Sequence, residues 1–325
     1  MLQFYSLVLQ EFAAQCGGVS LRDRLLAVLV AVLWGCNFIA IHQALDLFPP
    51  LLLGALRFAV LAIPAILLVP RPQVPLKWLV GYGLGFGTVQ FIFLFIAMDV
   101  GMPTGLASLV LQASAPFTVL LGAVLLRERI GPRQAVGIGL AIVGLAAIAV
   151  SRAQTAALLP VVLTVLGALG WALGNLASKL ALRTPGVNPL HLMLWMAVVP
   201  PIPMFALSLV MEGPGAGPAA FAAVATSAAA PGLAGFAYLV IFGTLVGSGI
   251  WTSLMRRHPA GVVAPYSLLV PVVGIAMAAL LLGEQPSLVE LVSAVVIVGG
   301  VLLGTPRAVA ATEPAAVALA VPARA

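Results

Sequence analysis

Charge is what this chain lacks. Only 24 of its 325 residues carry it at neutral pH, 15 Lys or Arg and 9 Asp or Glu. At 7% charged, against about 25% in ordinary soluble domains, no water-facing surface of this size can be covered. Cysteine is nearly absent. Cys36 falls inside an apolar run and Cys16 in the leading tail, so no disulfide is expected. The three histidines, His42, His191 and His258, are scattered. The chain has no HExxH, no GxSxG, no Walker loop and no pair of membrane aspartates spaced for a metal. These absences argue against an enzyme, an ATP-driven pump, and any bound cofactor or metal. Residues 1–21 hold no Lys or Arg, so they lack the basic start of a secretory signal and read as an N-terminal extension.

Apolar residues fill the space that charge leaves. They make up 62% of the chain, and the mean hydropathy is +1.19. A spanning helix needs roughly 20 consecutive apolar residues. Ten such stretches run approximately 25–45, 50–69, 78–98, 104–125, 132–150, 157–180, 189–210, 232–254, 260–282 and 287–304. The fold class is therefore an all-α integral membrane protein with ten transmembrane helices. The longest connection, the Gly/Pro/Ala-rich 212–231, reads as a flexible loop, and the tail 305–325 as disordered.

The net charge of +6 does not point to nucleic acid, because the basic residues mark alternate connections instead of forming a patch. Arg22, Arg24, Arg71, Lys77, Arg127, Arg129, Arg133, Arg183, Arg256, Arg257, Arg307 and Arg324 fall on one side. The opposite connections hold Asp46, Asp99, Glu212 and Glu284, with Arg152 as their one basic residue. Positive charge marks the cytoplasmic side, which places both termini in the cytoplasm.

A repeat organises these helices. Residues 105–145 align without a gap on 261–301, at a constant offset of 156. Gly105 meets Gly261, Glu128 meets Glu284 and Gly144 meets Gly300. Five helices per half is an odd number, so the halves 23–151 and 152–304 must enter from opposite sides. The turns agree: Arg127-Glu128-Arg129 in one copy becomes Gly283-Glu284-Gln285 in the other. Inverted repeats in an apolar chain are the sequence mark of secondary transporters.

Polar residues inside such helices are costly, about 2.5–3.5 kcal/mol for a charge at mid-helix on insertion scales, so they are the site candidates. The first helix carries Trp34, Asn37 and His42, and the sixth carries Trp171, Asn175 and Lys179 on one stripe at i, i+4 and i+8. Asn37 and Asn175 sit at similar depths from opposite faces. Helix–helix glue is the structural alternative for both asparagines, and snorkelling is the alternative for Lys179. His42 offers a proton-coupling group or a solvated rim side chain. Arg57, about 10 Å below the 49–50 proline pair at 1.5 Å per residue, needs a water-filled cavity or an anionic partner, either a substrate carboxylate or Asp46 or Asp99. Gln112 and Tyr266 are further ligands for a polar solute. The glycines at 81, 83, 85 and 87 suit close packing. Glu128 and Glu284 are expected to cap the helix that follows each, with gating or proton binding as the sharper alternative.

The strings WGCNFIAIHQALDLFPPLLLGALRF, GMPTGLASLVLQ, LLRERI, WALGNLASK and APYSLLVPVVG resemble the EamA family of the drug/metabolite transporter superfamily, nearest its bacterial O-acetylserine/cysteine exporters. The resemblance covers about residues 22–305. It implies a multi-pass transporter of the bacterial inner membrane that exports small polar metabolites through a cavity between the halves. It points to Trp34, Asn37, Arg57, Gln112, Trp171, Asn175, Lys179 and the segment 265–271. In such exporters a lysine is expected near the end of the first helix, where this chain has His42. The expected partners are the metabolite and the lipid bilayer, with a substrate gradient or protons as the driving force. Aromatic or drug-like cargo fits the same fold, and a membrane-embedded enzyme or sensor subunit is the more distant alternative.

Overall fold

The computed structural model describes residues 20–153, 158–258 and 263–304; residues 1–19 of the expected extension and the tail 305–325 lie outside them. The described residues form helices and no strand. Eight helices are long and apolar enough to cross a membrane: α1 Leu21–Leu45, α2 Pro50–Leu68, α3 Leu76–Asp99, α4 Thr104–Leu126, α5 Pro132–Ser151, α6 Leu158–Ala181, α7 Pro189–Met211 and α8 Ser227–Met255. Two shorter apolar helices follow, α9 Tyr266–Leu282 and α10 Leu288–Gly304.

Several boundaries differ from expectation, two of them instructively. The first helix begins at Leu21, because the Ser20 hydroxyl accepts from Asp23 N–H at 3.2 Å and caps it. Asp23 is also held at the far end of α8, by Arg257 Nη1 and His258 Nε2, each at 2.7 Å. The stretch 212–231 is not a loop throughout: Ala216–Val224 is a short helix. Alanine is the strongest helix former, and Pro218 sits in the first turn, where its missing N–H costs nothing.

The helices pair by rank in the two repeats. α2 packs on α7, α4 on α9, and α5 on α10. The first helices cross over: α1 packs on α8 and α9, while α6 packs on α3 and α4. The repeat turns share one backbone form. Arg127 (φ 55°) and Gly283 (φ 68°) are both left-handed. Beyond them, Glu128 N–H donates to the Gly122 carbonyl at 3.2 Å and Glu284 N–H to the Ala278 carbonyl at 3.3 Å.

Helices α3 and α8 carry a second matched feature, a π-helical segment at Gly83–Val89 and at Leu239–Val246. Each is held by a threonine hydroxyl that donates five residues back, Thr88 to the Gly83 carbonyl at 3.3 Å and Thr244 to the Leu239 carbonyl at 2.9 Å. Residues 88 and 244 are again 156 apart. The sequence around them repeats as Tyr-x3-Phe-Gly-Thr, Tyr82 to Thr88 and Tyr238 to Thr244. π-Turns inside helices concentrate at functional sites, and this pair lies where the crossed-over first helices dock.

Candidate functional site

Three groups of polar residues form where the repeats meet. The first centres on Arg57 of α2, which is 4% exposed. Its Nη2 donates to Thr244 Oγ1 at 3.0 Å. Its guanidinium carbon lies 4.2 Å from the Phe91 ring centroid and 5.4 Å from that of Phe58. Nε and Nη1 have no hydrogen-bond partner. The expected alternative of an ion pair with Asp46 or Asp99 is not what holds Arg57, because a hydroxyl and two aromatic faces take the place of a carboxylate. From α1, Trp34 Nε1 donates to the Gly243 carbonyl at 3.0 Å, and Asn37 Oδ1 packs on Gly243 without a hydrogen-bond donor. Trp34, Asn37 and Arg57 of the first repeat thus converge on Gly243 and Thr244 of the second. The π-turn widens the backbone there, and glycine at 243 leaves room for the asparagine.

Leaving a buried polar group unpaired costs about 1–3 kcal/mol. The buried unpartnered side-chain atoms among the described residues are chemically mixed. Arg57 offers N–H donors on two nitrogens, while Asn37 Oδ1 and Gln90 Oε1 are acceptors without donors. Gln90 is 3% exposed and adjoins Phe91 in the chain. Donors of this kind suit a carboxylate, and the acceptors suit an ammonium or hydroxyl.

The second group joins α6 to α4. Asn175 Nδ2 donates to Thr118 Oγ1 at 3.2 Å, and Thr118 donates to the Ser114 carbonyl at 2.7 Å. Trp171, one turn earlier, stands edge-on to Phe86 with centroids 5.9 Å apart. The third lies at the crossing of α4 and α9. Pro271 has no N–H for the Ser267 carbonyl four residues before it, and Gln112 Nε2 donates there at 3.4 Å. Tyr266 is buried nearby against Leu254 and Ala27.

Four candidates, His42, Lys179, Glu128 and Glu284, sit apart from these groups. His42 is exposed. Lys179 Nζ bonds both oxygens of Glu128, at 2.7 and 2.9 Å, with side chains 51% and 42% exposed. Such a pair contributes about 0–1 kcal/mol, so Lys179→Gln should change unfolding free energy by less than about 1 kcal/mol in detergent melts. A larger loss would make the pair a structural strut.

The expectation that Glu128 and Glu284 cap the helices that follow them is not met. At the start of α5, Gln134 in the first turn accepts from Gly131 N–H at 3.0 Å. α10 has its own reciprocal cap between Ser287 and Glu290. Glu128 takes Lys179, and Glu284 caps α4 of the other repeat, accepting from Thr104 N–H at 2.6 Å and Gly105 N–H at 3.0 Å. Thr244 and Glu212 are not among the candidates that sequence reasoning names. The repeated Phe-Gly-Thr could have found the first; no local pattern marks the second.

The sequence matches the EamA-like transporter family over residues 24–150 and again over 158–305. A "Probable amino-acid metabolite efflux pump" of Escherichia coli K12 is 42% identical over 289 residues, covering 88% of this chain and 95% of that protein. A protein of the same name from Salmonella typhimurium LT2 is 42% identical over 288 residues, with the same coverage of 88% and 95%. The "Uncharacterized inner membrane transporter YedA" of Escherichia coli K12 is 25% identical over 284 residues, covering 84% of this chain and 87% of that protein. One solved crystal structure superposes with a TM-score of 0.58 at 20% identity, over 87% of this chain and 97% of its own, a likeness of fold alone. With both halves matched and the apolar helices long enough to span, the chain is a multi-pass inner-membrane protein that belongs to the EamA-like transporter family.

Proposed function

We propose that the protein is a secondary exporter of amino-acid-like metabolites, cysteine or O-acetylserine among them. It crosses the membrane ten times as two inverted five-helix repeats with both termini cytoplasmic, and it works by alternating access. The 42% identical efflux-pump relatives support the cargo class. The observation that carries the site is Arg57, a buried guanidinium at the junction of the repeats with Nε and Nη1 unpartnered.

In this reading Arg57 takes the substrate carboxylate, and the Asn37 and Gln90 oxygens take its ammonium or hydroxyl hydrogens. Gln112, Asn175 and Tyr266 contribute further hydrogen bonds, and Trp34 and Trp171 form the walls. Lys179 is the other cation considered for the carboxylate; its bond to Glu128 at an exposed edge leaves that role to Arg57. Substrate or proton gradients supply the energy, with His42 as the candidate coupling group, and no enzymatic step is involved.

Counterflow in proteoliposomes tests this. Vesicles preloaded with unlabelled cysteine, O-acetylserine or single amino acids should accumulate labelled solute with at least one preload. Silence across the panel would remove the amino-acid assignment. Aromatic solutes form the second arm, favoured by the contiguous rings of Tyr82, Phe86, Phe91 and Phe58 beside Arg57. Asn175→Ala should lower the rate at least tenfold at normal insertion; unchanged counterflow would take Asn175 out of the site.

A further inference from the structure

Two carboxylates of the second repeat grip helix starts of the first, and both grips lie on the face opposite the basic connections. Glu284, beyond the left-handed Gly283, takes the first N–H groups of α4 as described. Glu212, at the end of α7, accepts from Leu51 N–H at 2.6 Å and Leu52 N–H at 3.1 Å. The Ser208 hydroxyl, at 2.6 Å, orients it. Each helix start follows prolines, at 49 and 50 and at 103. The Pro50 ring has no N–H, so the first free donors of α2 are those that Glu212 takes.

Hydrogen bonds to an ionised acceptor are roughly twice as strong as neutral ones, and the helix dipole adds to them. Four of them cross one seam between the repeats. At the rim, water can satisfy both partners once they part, so this closure is reversible in a way that buried pairing is not. Beside Glu284 lies a cavity of about 220 Å³, lined by Pro103, Gly105, Leu109, Ile275 and Glu290. It gives the released side chain somewhere to go. Glu128, the repeat equivalent of Glu284, is bound to Lys179 in this state.

We propose that Glu284 and Glu212 are paired latches of the outer gate: while both carboxylates cap α4 and α2 the outer face is shut, and cargo leaves only after both let go. This rests on the alternating-access reading.

The test is thiol accessibility from the outer side. Ile275→Cys, which lines the cavity, is placed in a background with Cys16 and Cys36 replaced by alanine. It is then labelled with a membrane-impermeant maleimide. Glutamine keeps one acceptor oxygen but presents an NH₂ to the helix N–H groups, so it cannot grip both. Glu284→Gln should speed labelling severalfold, and Glu212→Gln with Glu284→Gln at least tenfold. Glu128→Gln, off this seam, should leave the rate unchanged. Rates within twofold of the parent in both single latch variants would overturn the proposal even if the double variant fails to fold. An equal rise in Glu128→Gln would also overturn it, since that reports general loosening. Counterflow in the same preparations separates the two readings. Faster labelling with no counterflow for any amino acid keeps the latch and removes the cargo; flat labelling with active counterflow removes the latch.

Discussion

Arg57→Met should stop counterflow while the variant still inserts and melts at or near the parent temperature. The expectation comes from balancing what the guanidinium gains against what it costs. Placing a charge at mid-membrane costs about 2.5–3.5 kcal/mol on insertion scales, and its two unpartnered nitrogens add about 1–3 kcal/mol each. Against this stand one hydrogen bond to Thr244, about 1.5–3 kcal/mol for a charged donor, and the Phe91 face at 4.2 Å, about 2 kcal/mol when desolvated. These gains do not exceed the costs. Methionine keeps the length and packs on the same rings, and buried charges replaced by apolar residues of similar volume are often neutral or stabilising. Thr244 keeps its own bond to Leu239, so the π-turn survives. Arg57→Lys sharpens the test: it retains charge but not the planar fork that grips a carboxylate at two points, and at least a tenfold fall in rate is expected. The measurement is counterflow beside a melting curve for each variant. Intact transport with a Tm drop of several degrees would make Arg57 a structural residue.

The need for a partner at Arg57 is legible in the sequence because the membrane makes lone charges expensive; the partner is not. A hydroxyl 187 residues away and an aromatic face leave no local signature. The apolar helices themselves are legible. Eight of the ten predicted stretches match helices long and apolar enough to cross a membrane, and the last two match shorter apolar helices, because length and composition are what the reading of a span rests on. The ungapped alignment is plain from 105 onward. Upstream, Gly81, Gly83 and Gly85 in one copy face Ala237, Leu239 and Ile241 in the other, which leaves Tyr82/Tyr238 and Phe-Gly-Thr as isolated matches at the same offset. A π-turn adds one residue to one turn and leaves hydrophobic periodicity almost unchanged, so it too leaves no mark. Glu284 reads as a cap of the helix beside it because capping rules see only adjacent sequence, whereas its donors lie 179 and 180 residues upstream. Asn37 and Asn175 are both half-buried and both face a neighbouring helix, yet they join different groups, Gly243 for one and Thr118 for the other.

Gly174→Val should prevent the folded transporter from forming, with loss of monodisperse protein in detergent and no recoverable counterflow. The reason is the fit between α6 and the π-segment of α3. A Cβ on Gly174 would stand 2.5 Å from Phe86 N and 2.9 Å from its Cα. A Cβ on Gly85 would stand 2.5 Å from Gly174 N and 2.9 Å from the Gly170 carbonyl oxygen. Ordinary contact begins near 3.4 Å, so the helices would have to separate by most of an ångström. The obstructing atoms are backbone, which no rotamer change can move aside. Overpacking a core side chain typically costs about 1–3 kcal/mol; forcing apart two backbones along a helix pair spreads that cost over every neighbour, including Trp171 on Phe86. Lipid offers no hydrophobic drive to offset the loss, since helix association in membranes rests on close packing itself. Gly139→Ala in α5 is the control: nothing lies within 4 Å of its Cβ, and alanine favours a helix by up to about 1 kcal/mol over glycine, so its melting temperature should hold or rise. A Gly174→Val protein that melts like its parent would mean that α3 and α6 pack less closely than this, and the docking of the crossed-over sixth helix would no longer account for the place of the π-turn.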